Sequence, residues 1–139
     1  MAFKSRILIV EDERDTREVL ADWLRARGYD VDIFDGGSRA LEFVQAGPRP
    51  KIIILDLLLR SDMNGWQFLE IIKDNPDLWN IPVIAISGAD LTPQQRRQCR
   101  AEAFLSKPVH PYALLNLLRQ YGAAPFRDGP DGSTPSMPS

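Results

Sequence analysis

The chain has 139 residues, of which 44% are hydrophobic and 26% are charged, and its formal net charge is −2. This composition is typical of one soluble globular domain, and it argues against a disordered chain and against nucleic-acid binding through bulk positive charge. No apolar run is long enough to span a membrane, no signal peptide is recognisable, and a single cysteine, Cys99, allows no internal disulfide, so we expect a cytoplasmic protein without membrane contact.

Five short apolar runs alternate with amphipathic segments along the chain. The runs are Ile7–Val10, Val31–Phe34, Ile52–Leu55, Val83–Ile86 and Ala103–Leu105. Three of the four-residue runs are apolar throughout, which is typical of parallel strands that are covered on both faces.

The segments between the runs carry helix signals. The first contains Val19, Leu20, Trp23 and Leu24 before Gly28, the second covers 37–46, the third contains Trp66, Leu69 and Ile72, the fourth opens at Thr92-Pro93, and the fifth opens at Pro111. Single helices between consecutive strands require parallel pairing with right-handed crossovers. We therefore predict an α/β fold with a doubly wound, five-stranded parallel sheet.

The composition changes near the C-terminus. Residues 122–139 are rich in Gly, Pro and Ser, and they contain few large apolar side chains. Such a segment cannot bury enough surface to offset the entropy of ordering. We predict a domain over residues 1–121, folded from about residue 3, and a flexible tail over 122–139.

Polar residues follow four of the predicted strands. Glu11 and Asp12 come after the first run, Asp56 after the third, Ser87 after the fourth, and Lys107 shortly after the fifth. In doubly wound sheets ligands bind beyond the carboxyl ends of the strands. Each residue also has a structural interpretation, as a helix starter, a turn former or a surface lysine, but together they predict one site.

The chemistry of this set indicates phosphoryl transfer. Three converging carboxylates repel one another unless a hard cation such as Mg²⁺ binds between them. Asp56 is the candidate nucleophile, Lys107 a fixed positive charge for the phosphoryl oxygens, and Ser87 a hydrogen-bond donor to them.

Four motifs carry a resemblance to a known family. ILIVEDE at 7–13, IIILDLLL at 52–59, VIAISG at 83–88 and FLSKP at 104–108 occur in the order and at the spacing typical of this family. Residues 5–121 resemble the receiver domain of two-component response regulators, a family of phosphoacceptor signalling domains rather than enzymes.

The resemblance implies a flavodoxin-like (βα)5 fold with strand order 2-1-3-4-5. It implies Mg²⁺ bound by Glu11, Asp12, Asp56 and the main-chain carbonyl of Leu58, and phosphorylation of Asp56 by a histidine kinase or histidine phosphotransfer protein. Ser87 and Phe104 match the family's switch positions, and the Lys107-Pro108 bond matches one that is cis in the family. A downstream partner, or a second copy of the chain, is expected on the face formed by helix 4, strand 5 and helix 5, where the leucines of helix 5 are either exposed or part of the core.

The sequence also departs from the family pattern. The segment 59–65 is one residue longer than usual, and the stretch from Ser87 to Lys107 is about two residues shorter, which predicts a short or displaced fourth helix. Leu58 and Ala89 cannot orient an attacking water, which suggests a long-lived aspartyl phosphate. Cys99 is interpreted as a partly buried residue and His110 as a helix start.

Other functions fit less well. A haloacid-dehalogenase-like phosphatase requires a second Asp where Leu58 stands, and a flavodoxin-like cofactor binder requires a phosphate loop where Glu11, Asp12 and Glu13 are acidic. A pseudo-receiver that acts as a docking module without phosphorylation is the main alternative, although the intact acidic set argues against it.

Overall fold

The computed structural model describes residues 5–124, which form a five-stranded sheet with five helices. The strands are β1 (Arg6–Val10), β2 (Asp30–Phe34), β3 (Ile52–Asp56), β4 (Val83–Ser87) and β5 (Ala103–Ser106). The helices are α1 (Arg14–Ala26), α2 (Gly37–Ala46), α3 (Gly65–Asp74), α4 (Pro93–Gln98) and α5 (Pro111–Gln120). All strand pairs are parallel and the order is β2-β1-β3-β4-β5, which confirms the predicted fold.

The apolar strands are covered on both faces. In β1, Ile7 and Ile9 pack in one core layer, which includes residues of α1 and α5, while Leu8 and Val10 pack in a second layer with α2 and α3. Successive side chains of a strand point to opposite faces, so a strand between two helical layers needs apolar residues at every position.

The fourth helix is short, as the spacing predicted. The Thr92 side chain accepts a hydrogen bond from the Gln95 backbone N–H, and the Gln95 side chain accepts one from the Thr92 N–H. This capping box fixes the start of α4, but the helix has only six residues and none of them is buried.

The leucines of α5 belong to the core. Leu114, Leu115 and Leu118 are buried against β1, β3 and α1 residues, and Leu117 is partly buried. Of the two alternatives that the sequence left open, the structure shows the second, because Leu114 and Leu118 are part of the core and cover one face of the sheet.

The packed unit continues past the predicted domain end. Ala123 is buried, and its carbonyl accepts a hydrogen bond of 2.9 Å from the Tyr29 hydroxyl. The predicted boundary at residue 121 is therefore slightly too early, and residues 125–139 of the predicted tail lie outside the described residues. Within residues 5–124, no helix is long and apolar enough to cross a membrane.

Candidate functional site

The polar residues predicted from the sequence meet at the carboxyl edge of the sheet. Asp56 ends β3 and Ser87 ends the neighbouring strand β4. Glu11 and Asp12 directly follow β1, which pairs with β3 on its other side. Lys107 follows β5, and its backbone N–H donates to the Ser87 carbonyl at 2.8 Å. Parallel pairing therefore brings all five residues together.

Asp56 lies at the centre of this site. Its carboxylate is buried, with only 3% of the residue surface exposed. One oxygen, Oδ1, accepts a hydrogen bond from the Leu58 backbone N–H at 2.9 Å, and Oδ2 accepts one from Lys107 Nζ at 3.2 Å. These two donors hold the carboxylate in a fixed orientation.

Glu11 is fully buried beside Asp56. Its Oε2 accepts a hydrogen bond from the Glu13 backbone N–H at 3.1 Å. Its Oε1 lies 2.5 Å from Lys107 Nζ, but no group in residues 5–124 donates a well-directed hydrogen bond to it. Burial, and next the adjacent Asp56 carboxyl, raise the pKa of Glu11 to about 7, although Lys107 acts in the opposite direction.

Asp12 is held by an arginine, Arg60, that is not among the predicted site residues. Asp12 Oδ2 accepts hydrogen bonds from the Arg60 backbone N–H at 3.0 Å and from Arg60 Nε at 3.2 Å. Partial burial raises the pKa of Asp12, but these hydrogen bonds and the charge of Arg60 outweigh it, so the pKa lies below its ordinary value. Asp12 is therefore ionised at neutral pH.

The three carboxyl groups can share one cation. One oxygen from each of Glu11, Asp12 and Asp56 lies within 4.8 Å of the other two. Carboxylate oxygens are the ligands that Mg²⁺ prefers. The buried Glu11 Oε1 accepts no directed hydrogen bond within residues 5–124, and a bound cation would satisfy this oxygen. The donor set therefore fits a hard divalent cation.

Two further predicted residues lie at the same edge. Burial lowers the pKa of Lys107, but its contacts with Glu11 and Asp56 outweigh this effect and raise the pKa above its ordinary value, so the ammonium group stays charged. Ser87 is fully buried, and its Oγ accepts a hydrogen bond from the Ala89 N–H at 3.1 Å. Leu58 contacts the Asp56 carboxylate through its backbone N–H. That the Leu58 carbonyl binds the cation stays a prediction.

The remaining predicted residues lie outside this cluster. Phe104 is partly buried on β5, and the Arg96 guanidinium lies over its ring at 5.0 Å. Cys99 follows α4 and is half-buried, and His110 caps α5 by accepting a hydrogen bond from the Ala113 N–H, as both were interpreted. The Lys107-Pro108 peptide bond is cis, as the resemblance implied.

Comparisons with known proteins agree with this geometry. Residues 7–119 match the family model of the response regulator receiver domain. The chain is 35% identical over 108 residues to the two-component response regulator ORR11 of Oryza sativa subsp. indica. This alignment covers 76% of the present chain and 72% of ORR11. The chain is 28% identical over 117 residues to the polar-differentiation response regulator DivK of Brucella anthropi, which covers 83% and 94%.

A solved structure supports the same assignment. The signal receiver domain of a signal transduction histidine kinase from Syntrophus aciditrophicus superposes with a TM-score of 0.76 at 31% identity, over 84% of this chain and 89% of that chain. The family match covers most of the chain, and the strand order and the acidic cluster agree with it. The chain therefore belongs to the response regulator receiver domain family, and it is a receiver domain of a two-component response regulator.

Proposed function

We propose that this receiver accepts a phosphoryl group on Asp56 in a Mg²⁺-dependent reaction. The donor is the phosphohistidine of a histidine kinase or a histidine phosphotransfer protein. The observation that carries the proposal is the position of the Asp56 carboxylate, which lies between two other carboxyl groups and the Lys107 ammonium. A carboxylate that only ended a strand would not need two further carboxyl groups and an ammonium group around it.

The residues of the site divide the chemical work. The Asp56 carboxylate attacks phosphorus, so that an O–P bond forms while the N–P bond of the donor breaks. The imidazole leaves with the bonding electron pair, and it is neutral because its other ring nitrogen carries a proton. Lys107, 3.2 Å from Asp56 Oδ2, neutralises charge that develops on the phosphoryl oxygens.

The cation site supports this step. Glu11, Asp12, Asp56 and the Leu58 carbonyl are the groups that would hold Mg²⁺. When bound, Mg²⁺ supplies positive charge that stabilises the phosphoryl oxygens in the transition state. The Glu11 carboxyl has to release its proton before it acts as a ligand, because its pKa is about 7.

The signal leaves the site through Ser87 and Phe104. The Ser87 hydroxyl, now hydrogen-bonded to the Ala89 N–H, can donate to a phosphoryl oxygen on Asp56. Phe104 lies on the adjacent strand β5 and packs near the exposed helix α4. We expect phosphorylation to change this face, formed by α4, β5 and α5, and thereby its affinity for a protein partner.

Phosphorylation by a small donor tests the proposal. Incubation with acetyl phosphate and Mg²⁺ should add one phosphoryl group to the intact mass of the wild type, and Asp56→Asn should abolish the addition. Asp62→Asn is the matched control, since Asp62 is exposed and hydrogen-bonded to Ser38 outside the acidic cluster. Labelling of Asp56→Asn, or of the wild type in excess EDTA, would contradict the proposal.

The same preparation tests the lifetime of the aspartyl phosphate. Leu58 and Ala89 carry no side-chain group that could orient a water molecule toward phosphorus, so the label should decay slowly after the donor is removed. Intact-mass measurements at increasing times give the decay rate. Loss of the label within seconds would mean that another group positions the water.

A groove beside the site is the expected contact for a protein phosphodonor. It has a volume of about 610 Å³, and its lining includes Thr16, Val19, Leu20, Gly88, Lys107 and Val109. Val19 on α1 is 67% exposed although it is apolar, and it lines the same groove as Lys107. Because Lys107 lines this groove and also contacts Asp56, we expect a partner that brings a phosphohistidine to Asp56 to bind here.

Val19→Asp should slow phosphotransfer from a phosphorylated histidine phosphotransfer protein by about ten-fold, which corresponds to about 1.4 kcal/mol. Labelling by acetyl phosphate should be unchanged, because the small donor does not need the groove. Ile71→Asp is the control, since Ile71 is exposed on α3, which packs on the opposite face of the sheet from α1. Equal rates for Val19→Asp and the wild type would exclude the groove as the docking surface.

A further inference from the structure

Arg60 combines two properties that are unusual beside a cation site. Its side chain is 83% exposed, and Asp12 is its only ion-pair partner within residues 5–124. Both hydrogen bonds from Arg60 end on the same oxygen, Asp12 Oδ2. The guanidinium is therefore placed by Asp12 itself and not by packing.

The contact of Arg60 opposes cation binding in two ways. A guanidinium and a divalent cation both stabilise the negative charge of Asp12. Each therefore reduces the electrostatic free energy that the other gains by binding there. Arg60 Nε also occupies a lone pair of Oδ2, which is one of the few carboxylate positions that the cluster offers. Within residues 5–124, the side-chain carboxylates of Glu11 and Asp56 pair with Lys107 and with no arginine.

We propose that Arg60 is a built-in competitor of the divalent cation at Asp12, and that it sets the Mg²⁺ concentration at which the receiver becomes competent. This inference rests on the proposed function. Arg60 acts through Asp12 as a positioning residue, since it keeps the carboxylate oriented until a cation takes its place. Because the guanidinium is exposed, it can swing into solvent when it is displaced.

The size of the effect follows from the exposure of the pair. An ion pair with an exposed partner contributes up to about 1 kcal/mol, so its removal should tighten Mg²⁺ binding by up to about five-fold. The effect should shrink as KCl is added, because salt screens exposed charges. The backbone N–H of Arg60 also donates to Asp12, and this hydrogen bond does not involve the side chain, so a substitution at Arg60 tests the side chain alone.

Isothermal titration with MgCl₂ alone is the direct test, with the Mg²⁺-induced shift in unfolding temperature as a second readout. Arg60→Ala and Arg60→Gln should both bind Mg²⁺ more tightly than the wild type. Arg14→Ala is the matched control for loss of a nearby charge, since Arg14 is exposed and pairs with Glu18. It should leave the affinity close to that of the wild type.

The outcomes separate this inference from the proposed function. If the wild type and the Arg60 variants bind Mg²⁺ with equal affinity, or the variants bind more weakly, Arg60 is not a competitor, while the proposed phosphorylation stands. If neither the wild type nor the variants bind Mg²⁺, the Mg²⁺ dependence of the proposed function is contradicted as well. Equal tightening in Arg14→Ala would reduce the effect to general charge and would also overturn the inference.

Discussion

Gly65→Ala should destabilise the domain by roughly 2–4 kcal/mol, although alanine is the better helix former. Gly65 is the first residue of α3, and a Cβ at this position would lie 2.2 Å from the Asp56 carbonyl oxygen and 2.5 Å from Leu57 Cα. Both are backbone atoms beside the phosphoacceptor, so no flexible side chain can move away. Helix propensity alone predicts the opposite sign, a gain of up to about 1 kcal/mol.

Urea unfolding of Gly65→Ala and the wild type measures this difference. Gly88→Ala is the matched control, because Gly88 lies at the same edge of the sheet and its Cβ would meet only Lys107 Cδ at 3.9 Å. We expect Gly88→Ala to change the free energy of unfolding by less than about 0.5 kcal/mol. A Gly65→Ala protein as stable as the wild type would show that α3 does not approach β3 so closely.

The strands were predictable because the sheet is buried on both faces. Runs such as 52–55 and 83–86 have no polar residue, and this pattern at such short length is typical of a strand between two helical layers. The helix bounds were predictable where a cap fixed them, as at Thr92. The width of the apolar face did not decide whether Leu114 and Leu118 were exposed, because that depends on how α5 packs on the sheet.

The site was predictable for a topological reason. Residues that follow parallel strands have to lie at one edge, so Glu11, Asp56 and Lys107 converge without any knowledge of loops. Arg60 was not predictable, because it lies in the loop after β3 and its contact with Asp12 depends on the path of that loop. Its position four residues after Asp56 was the available signal.

A second contact was hidden for a similar reason. Lys73 is buried at the end of α3, where it donates to the Glu102 carboxylate and to the Trp79 and Ile81 carbonyls. Lysine in the last turn of a helix ordinarily faces solvent. The burial comes from a loop that folds over the helix end, and the sequence has no pattern that indicates it.

Glu11 links the stability of the domain to pH and to the cation. Its pKa rises from 4.5 to about 7 in the folded state, so the folded protein holds this proton more tightly than the unfolded chain. The free energy of unfolding therefore falls as the pH rises between these two values. The whole effect amounts to about 3 kcal/mol, since each pKa unit corresponds to about 1.4 kcal/mol.

Glu11→Gln removes this ionisation and should make the stability of the domain less dependent on pH than that of the wild type. In EDTA at about pH 8 the variant should be more stable than the wild type by up to about 3 kcal/mol, while at about pH 5 the difference should be small. Mg²⁺ should stabilise the wild type more at pH 8 than at pH 6, and it should stabilise Glu11→Gln much less at either pH.

Urea unfolding with and without MgCl₂ measures both effects, and Glu42→Gln on the exposed face of α2 serves as the control. A wild type whose stability relative to Glu11→Gln does not change with pH would mean that the buried carboxyl is ionised throughout, and then Lys107 rather than a cation would compensate its charge.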